Sequence, residues 1–190
     1  MKKTKVAVIG CGTIANNAHI PAYVKNPDVE IKWFCDIIPE RADAAVEKYG
    51  CGKAVYDYRE ILDDPELEAV SVCTPNKVHA PITIDFLKAG KNVLCEKPLC
   101  IKREDIDRIL EAERQSGAML GVCMQNRYNA SNLFVKEHLE GKGRTITDIG
   151  VTDPDDPNPE MFHRIGLKVG AKIAEGEFER AMIFCGTGMG

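Results

Sequence analysis

Short apolar runs alternate with helical stretches along the first two thirds of this chain, and such alternation leaves few folds open. Runs at 5–9, 29–36, 53–56, 69–73, 92–95 and 119–123 read as strands. Between them lie a helical stretch interrupted by Pro21, helices over 39–49, 78–89 and 102–116, and a short helix over 59–62. Gly50 and Gly90 close two of these helices, and Pro39 sits in the first turn of one. Ile106, Ile109, Leu110 and Ala112 mark the apolar side of the helix over 102–116. The strand at 69–73 is small or apolar throughout except for Ser71. Strands joined by helices of this length make right-handed crossovers and a parallel sheet covered on both faces.

Ligands of such sheets bind beyond the carboxyl ends of the strands. The chemically suggestive residues of this chain collect there: Gly10 to Ile14, Asp36, Thr74 to Asn76, Glu96 to Pro98, and Gln125 to Arg127. Gly10-Cys11-Gly12-Thr13-Ile14-Ala15 fits G-x-G-x-x-A after a clean strand. The first glycine permits the tight turn, the second lets backbone approach a pyrophosphate, and the small sixth residue lets helix and strand pack. Asp36, at the next strand end, is placed to accept hydrogen bonds from ribose hydroxyls and to repel a 2′-phosphate. The expectation is an α/β, doubly wound, Rossmann-type sheet that binds NAD. Arg41, close by in sequence, keeps NADP admissible.

The chain carries a net charge of −4, which argues against a nucleic-acid partner. No apolar stretch is long enough to span a membrane, and Met-Lys-Lys-Thr-Lys runs straight into a strand rather than a signal-peptide core, so a cytoplasmic chain is expected. None of the eight cysteines forms a Cys-x-x-Cys pair, which argues against a zinc site. Cys35, Cys73, Cys95, Cys123 and Cys185 each end an apolar run, as small buried thiols do in a parallel sheet. Lys97, between Glu96 and Pro98, has the chemistry to donate a proton or to stabilise an alkoxide if a cleft holds it. Pro98 restricts it to an extended conformation.

Val8 to Ala15, Cys35-Asp36, Cys73-Thr74-Pro75-Asn76 with His79, Glu96-Lys97-Pro98 and Gln125-Asn126-Arg127-Tyr128 together resemble the cofactor domain of the glucose–fructose oxidoreductase / inositol dehydrogenase (Gfo/Idh/MocA) family. The resemblance implies hydride transfer between NAD(P) and a sugar, polyol or related carbonyl. It implies that Thr74 and Asn76 line the cofactor cleft and that Glu96 contacts the nicotinamide ribose. Lys97 would then be the catalytic lysine, and Arg127 would lie near the nicotinamide end. His79, at a helix start, reads as a packing residue more than as a site contact. The family's substrate domain, an open antiparallel sheet with an aspartate and a histidine that complete a proton relay, has no counterpart after Asn129, so hydride transfer would need that domain from elsewhere.

The remaining residues follow another pattern: helical over 131–140, a Gly141-Lys142-Gly143 breaker, a strand over 145–149, an acidic proline-rich loop over 153–159, a helix over 161–175 and a strand over 181–185. Thr147-Asp148-Ile149-Gly150, the loop from Pro154 to Pro159, Lys172 to Glu177, and Cys185-Gly186-Thr187-Gly188-Met189-Gly190 resemble part of the ribose-5-phosphate isomerase B / galactose-6-phosphate isomerase family. That resemblance implies Cys185 as a base, with the loop amides near an enediolate. The family's first strand, with its Asp-His-Ala-Gly stretch, is missing, as is everything beyond the glycine loop. The chain therefore reads as composite: a dinucleotide-binding domain over 1–129 joined to a short α/β isomerase-like segment over 130–190. Three functions follow: an NAD(P)-dependent oxidoreductase domain, a sugar-phosphate isomerase fragment, and a non-catalytic dinucleotide-binding module. Uncovered sheet edges and apolar surface favour self-association into a homo-oligomer.

Overall fold

The computed structural model describes residues 2–130, 133, 134, 137 and 171–176. It divides into two units, residues 1–124 and 125–190. The first unit holds six strands: β1 (Thr4–Ile9), β2 (Val29–Cys35), β3 (Lys53–Val55), β4 (Ala69–Val72), β5 (Asn92–Cys95) and β6 (Leu120–Val122). All neighbouring pairs run parallel, in the order β3-β2-β1-β4-β5-β6. That is the doubly wound Rossmann order, and its direction of winding reverses between β1 and β4.

Alternation along β1 sets the two layers. Val6 and Val8 point to one face and Ala7 and Ile9 to the other, and all four are buried. Val6 and Val8 join Ile31, Phe34, Ala15, Ile20 and Ala45. This face is therefore covered by α1 (Ile20–Lys25) and α2 (Pro39–Tyr49). Ala7 and Ile9 join Val70, Val72, Val93 and Cys95, covered by Phe86 and Leu87 of α3 (His79–Lys88) and Ile109 and Ala112 of α4 (Arg103–Ser116). Gly50 and Gly117 end α2 and α4 in the left-handed region, at φ 64° and 69°, where glycine carries no Cβ penalty.

Two expectations are corrected. Pro21 does not interrupt the first helix. A five-residue π-helical turn, Ala15–His19, hands over directly to α1, and Pro21 sits in the first turn of that helix. In α4 the apolar stripe is narrower than its composition suggests. Ile109 and Ala112 are fully covered, whereas Ile106 and Leu110 are 40% and 43% exposed. Positions 106 and 110 are one turn apart and sit beside the 109/112 seam, so a sheet-facing helix leaves them outside. Leu110 borders an open surface groove with Ile84 and Lys88 of α3.

In the second unit, Gln125–Tyr128 form a 3-10 turn, and Leu133 N donates to Asn129 O at 2.9 Å. Residues 171–174 are helical. The strands expected over 145–149 and 181–185, the acidic loop and Cys185 lie outside the described residues. No helix among the described residues is long and apolar enough to cross a membrane.

Candidate functional site: the carboxyl ends of β1, β2, β4 and β5

The turn after β1 is built on the closeness of its neighbour. Gly10 N donates to Cys35 O at 2.7 Å, and Gly10 has φ +93°. A Cβ there would meet Cys73 O at 2.8 Å, so the loops after β1 and β4 touch where only glycine fits. Gly12 is different: a Cβ would meet nothing within 4 Å. The space above it is open, and Thr13 and Ile14 beside it are exposed. Asn16 holds the turn from below, donating through Nδ2 to Cys11 O (2.9 Å) and Gly12 O (3.1 Å).

Asp36 follows β2 and is 7% exposed. Its Oδ2 accepts from Cys11 N and its Oδ1 from Ile38 N, both at 2.9 Å. These bonds fix the carboxylate against the glycine turn. Each oxygen has two lone pairs, so one acceptor position on each remains for a hydroxyl. Ile37, next to it, is 86% exposed.

Thr74, Pro75 and Asn76 follow β4. Thr74 Oγ1 is buried with no hydrogen-bond partner, while Pro75 and Asn76 are exposed. His79 is buried, with Nδ1 2.7 Å from Pro98 O and Nε2 2.7 Å from Thr74 O. Its ring thus staples the loop after β4 to the loop after β5, the packing role favoured for it from sequence.

Glu96, Lys97 and Pro98 follow β5, and the Lys97–Pro98 bond is cis. Glu96 is buried and Lys97 exposed. Lys97 therefore stands at the surface of this unit rather than in a closed cleft. Glu96 Oε2 accepts from Lys97 N at 3.2 Å. Its Oε1 lies 2.9 Å from His19 Nε2. His19 Nδ1 lies 3.2 Å from Ser71 Oγ, which also bonds the Tyr23 hydroxyl. A buried chain Tyr23–Ser71–His19–Glu96 thus fixes the carboxylate. The sequence reading missed His19 and Tyr23. Ser71 was the available signal, because a hydroxyl in the middle of a buried parallel strand needs a partner. Cys123 Sγ stands 3.9 Å from His19 Nε2, and burial, then the Glu96 charge, push its thiol up to about 11.

The structure thus brings Gly10, Gly12, Asp36, Thr74, Asn76, Glu96 and Lys97 to one end of one sheet. Arg127 belongs to the second unit, and its side chain, like Cys185, lies outside the described ones. The open space over Gly12, the part-used Asp36 carboxylate and the unpartnered Thr74 hydroxyl fit a dinucleotide: a pyrophosphate against backbone, a ribose on the acid, and a polar ligand atom for the threonine.

Comparison with known proteins gives the same answer. Residues 4–124 match the model of an oxidoreductase family with an NAD-binding Rossmann fold (Gfo/Idh/MocA). Residues 123–190 match the model of the ribose/galactose isomerase family. Inositol 2-dehydrogenase of Salmonella typhimurium is 32% identical over 139 residues, covering 72% of this chain and 41% of that protein. Among solved structures, the WlbA dehydrogenase of Bordetella pertussis, in complex with NADH and UDP-GlcNAcA, superposes with a TM-score of 0.69 at 31% identity, over 74% of this chain and 40% of that one. KijD10, a 3-ketoreductase of Actinomadura kijaniata in complex with NADP, gives 0.68 at 30% identity, over 74% and 43%. The chain thus spans about two fifths of the length of the relatives it matches. With more than half of its residues in the first of these matches, the chain belongs to the Gfo/Idh/MocA oxidoreductase family and carries its NAD-binding Rossmann domain.

Proposed function

We propose that residues 1–129 are the cofactor half of an NAD-dependent dehydrogenase acting on a sugar, a polyol or a related carbonyl compound, and that residues 130–190 form a separate isomerase-like segment. Gly10, Gly12, Thr13 and Ile14 hold the pyrophosphate, and Asp36 takes the adenosine ribose. The exposed Ile37 beside Asp36 offers an apolar surface for the adenine ring. Thr74, Pro75 and Asn76 line the slot, and Glu96 takes the nicotinamide ribose. Bound there, the nicotinamide supplies or accepts a hydride. Lys97 then gives its Nζ proton to the carbonyl oxygen as the new C–H bond forms, or takes that proton back in the oxidative direction.

The observation that carries the proposal is the open space over Gly12 beside a buried carboxylate with acceptor capacity left. Lys97 is exposed, so a dry site needs a covering layer from residues beyond the described ones or from another chain, and self-association is the expected source. Turnover is measured with inositol and a panel of sugars, alongside NADH affinity. Lys97→Met lowers turnover by about 10²–10⁴-fold and leaves NADH affinity nearly unchanged. Turnover that survives the substitution removes Lys97 from the chemistry. NADH binding with no turnover on any substrate leaves a non-catalytic dinucleotide module. The match of residues 123–190 supports a second reading, in which Cys185 acts as the base of a sugar-phosphate isomerase. That reading requires phosphosugar binding which Cys185→Ala disrupts.

A further inference from the structure

One group of side chains is used by the cofactor reading only through a single member. His19 Nε2, a Glu96 carboxylate oxygen and Cys123 Sγ all lie within 4.8 Å of one another. His19 and Glu96 are 8% and 7% exposed, and Cys123 is half-buried at the end of β6. Nε2 is 2.9 Å from the Glu96 oxygen and 3.9 Å from the sulfur. Ligands about 2.0–2.3 Å from a tetrahedral ion stand roughly 3.3–3.8 Å apart, so small rotamer changes bring the three to coordination distance.

The outer shell is already in place. A metal-binding histidine usually has its second ring nitrogen held by a hydrogen bond, and this fixes ring orientation and tautomer. Here Nδ1 lies against Ser71 Oγ, itself bonded to Tyr23, and Nε2 is turned to the cluster. Sequence spacing hid the arrangement, because its members come from the first helical turn and from the ends of β5 and β6, and His19 and Cys123 are 104 positions apart.

We propose that His19, Glu96 and Cys123 form a three-ligand site for a thiophilic divalent cation of the Zn²⁺ class, with its fourth position open. Imidazole, thiolate and one carboxylate suit such an ion and not Mg²⁺ or Ca²⁺. On binding, the Cys123 thiol releases its proton to solvent and the sulfur bonds the metal. The site stands without the cofactor assignment. Where that assignment also holds, a bound ion draws Glu96 from the ribose, and metal and NADH oppose each other.

The test titrates Co²⁺ into the reduced, metal-free full chain. The expected result is one equivalent bound, with thiolate-to-cobalt charge-transfer absorption that Zn²⁺ displaces. Cys123→Ser abolishes that absorption, Ser71→Ala weakens binding by about 10–100-fold, and Cys51→Ser and Cys100→Ser leave it intact. In the unaltered chain, Zn²⁺ slows alkylation of Cys123 at least tenfold, a readout that needs no variant to fold. Absent charge-transfer absorption, absorption that survives Cys123→Ser, or unchanged alkylation overturns the proposal. NADH affinity, measured without metal, reports the cofactor reading separately.

Discussion

Gly10 and Gly12 belong to one motif and do different jobs. Gly10 is structural: any side chain there meets Cys73 O, at a φ that L residues rarely adopt. Gly10→Ala is expected to cost about 1–3 kcal/mol or more in urea unfolding. Under the proposed function Gly12 leaves room for the pyrophosphate, since a Cβ there would enter open space. Gly12→Val should leave stability within about 0.5 kcal/mol and weaken NADH binding by about 1.4 kcal/mol or more, at least tenfold. In the proposed site Asp36 would combine both roles, because its carboxylate also holds Cys11 N and Ile38 N. Asp36→Ala should lose NADH affinity and about 1–3 kcal/mol of stability together, and Asp36→Ser should narrow the preference for NADH over NADPH. The glycines and Asp36 were legible in sequence because each fits a position fixed by the βαβ unit. His19 was not, because its partners Ser71 and Glu96 lie 52 and 77 positions away and only the sheet brings them together.

At the scale of elements, α4 shows what periodicity can and cannot say. Its helix was plain from sequence, but the edge of its buried seam depends on how the helix lies against α3. Ile109→Ala should cost about 2–5 kcal/mol, whereas Leu110→Ser should stay within about 0.5 kcal/mol; thermal unfolding distinguishes them. Asp64 anchors another junction. It lies in the turn before β4, and its carboxylate accepts from Lys32 Nζ (2.8 Å), Trp33 Nε1 (2.7 Å) and Glu66 N (3.0 Å), tying that turn to β2. Partial burial pushes its pKa up, but Lys32, Trp33 and the Glu66 amide outweigh it and hold the group at about 2. A depressed carboxylate pKa contributes stability above the unfolded value of about 3.9, and that contribution is lost as pH falls toward 2. The urea midpoint should therefore drop between about pH 4 and pH 2, and Asp64→Asn should remove part of the drop while lowering the midpoint at pH 7.

For the whole molecule, the first unit was readable almost strand by strand, since parallel strands buried on both faces announce themselves as continuous apolar runs. The tail's elements, read from pattern and from resemblance, lie mostly outside the described residues. The thiols report on the integrity of the sheet. Burial pushes Cys11 and Cys35 up to about 12, whereas Cys51 and Cys100 lie half-buried at the rim. Alkylation at neutral pH, followed by mass spectrometry, should modify Cys51 and Cys100 first. Cys11 and Cys35 should react only through opening of the sheet, at rates that rise with urea.

Trp33, the sole tryptophan of the chain, lies on β2, three residues before Asp36, and gives a direct probe of the site. Titration of the purified chain with NADH should quench its emission saturably at one equivalent. NAD should reverse the quenching, NADPH should be a weaker competitor, and Gly12→Val should abolish it. Emission that NADH leaves unchanged, or quenching that Gly12→Val leaves intact, would contradict a dinucleotide site at the carboxyl ends of these strands.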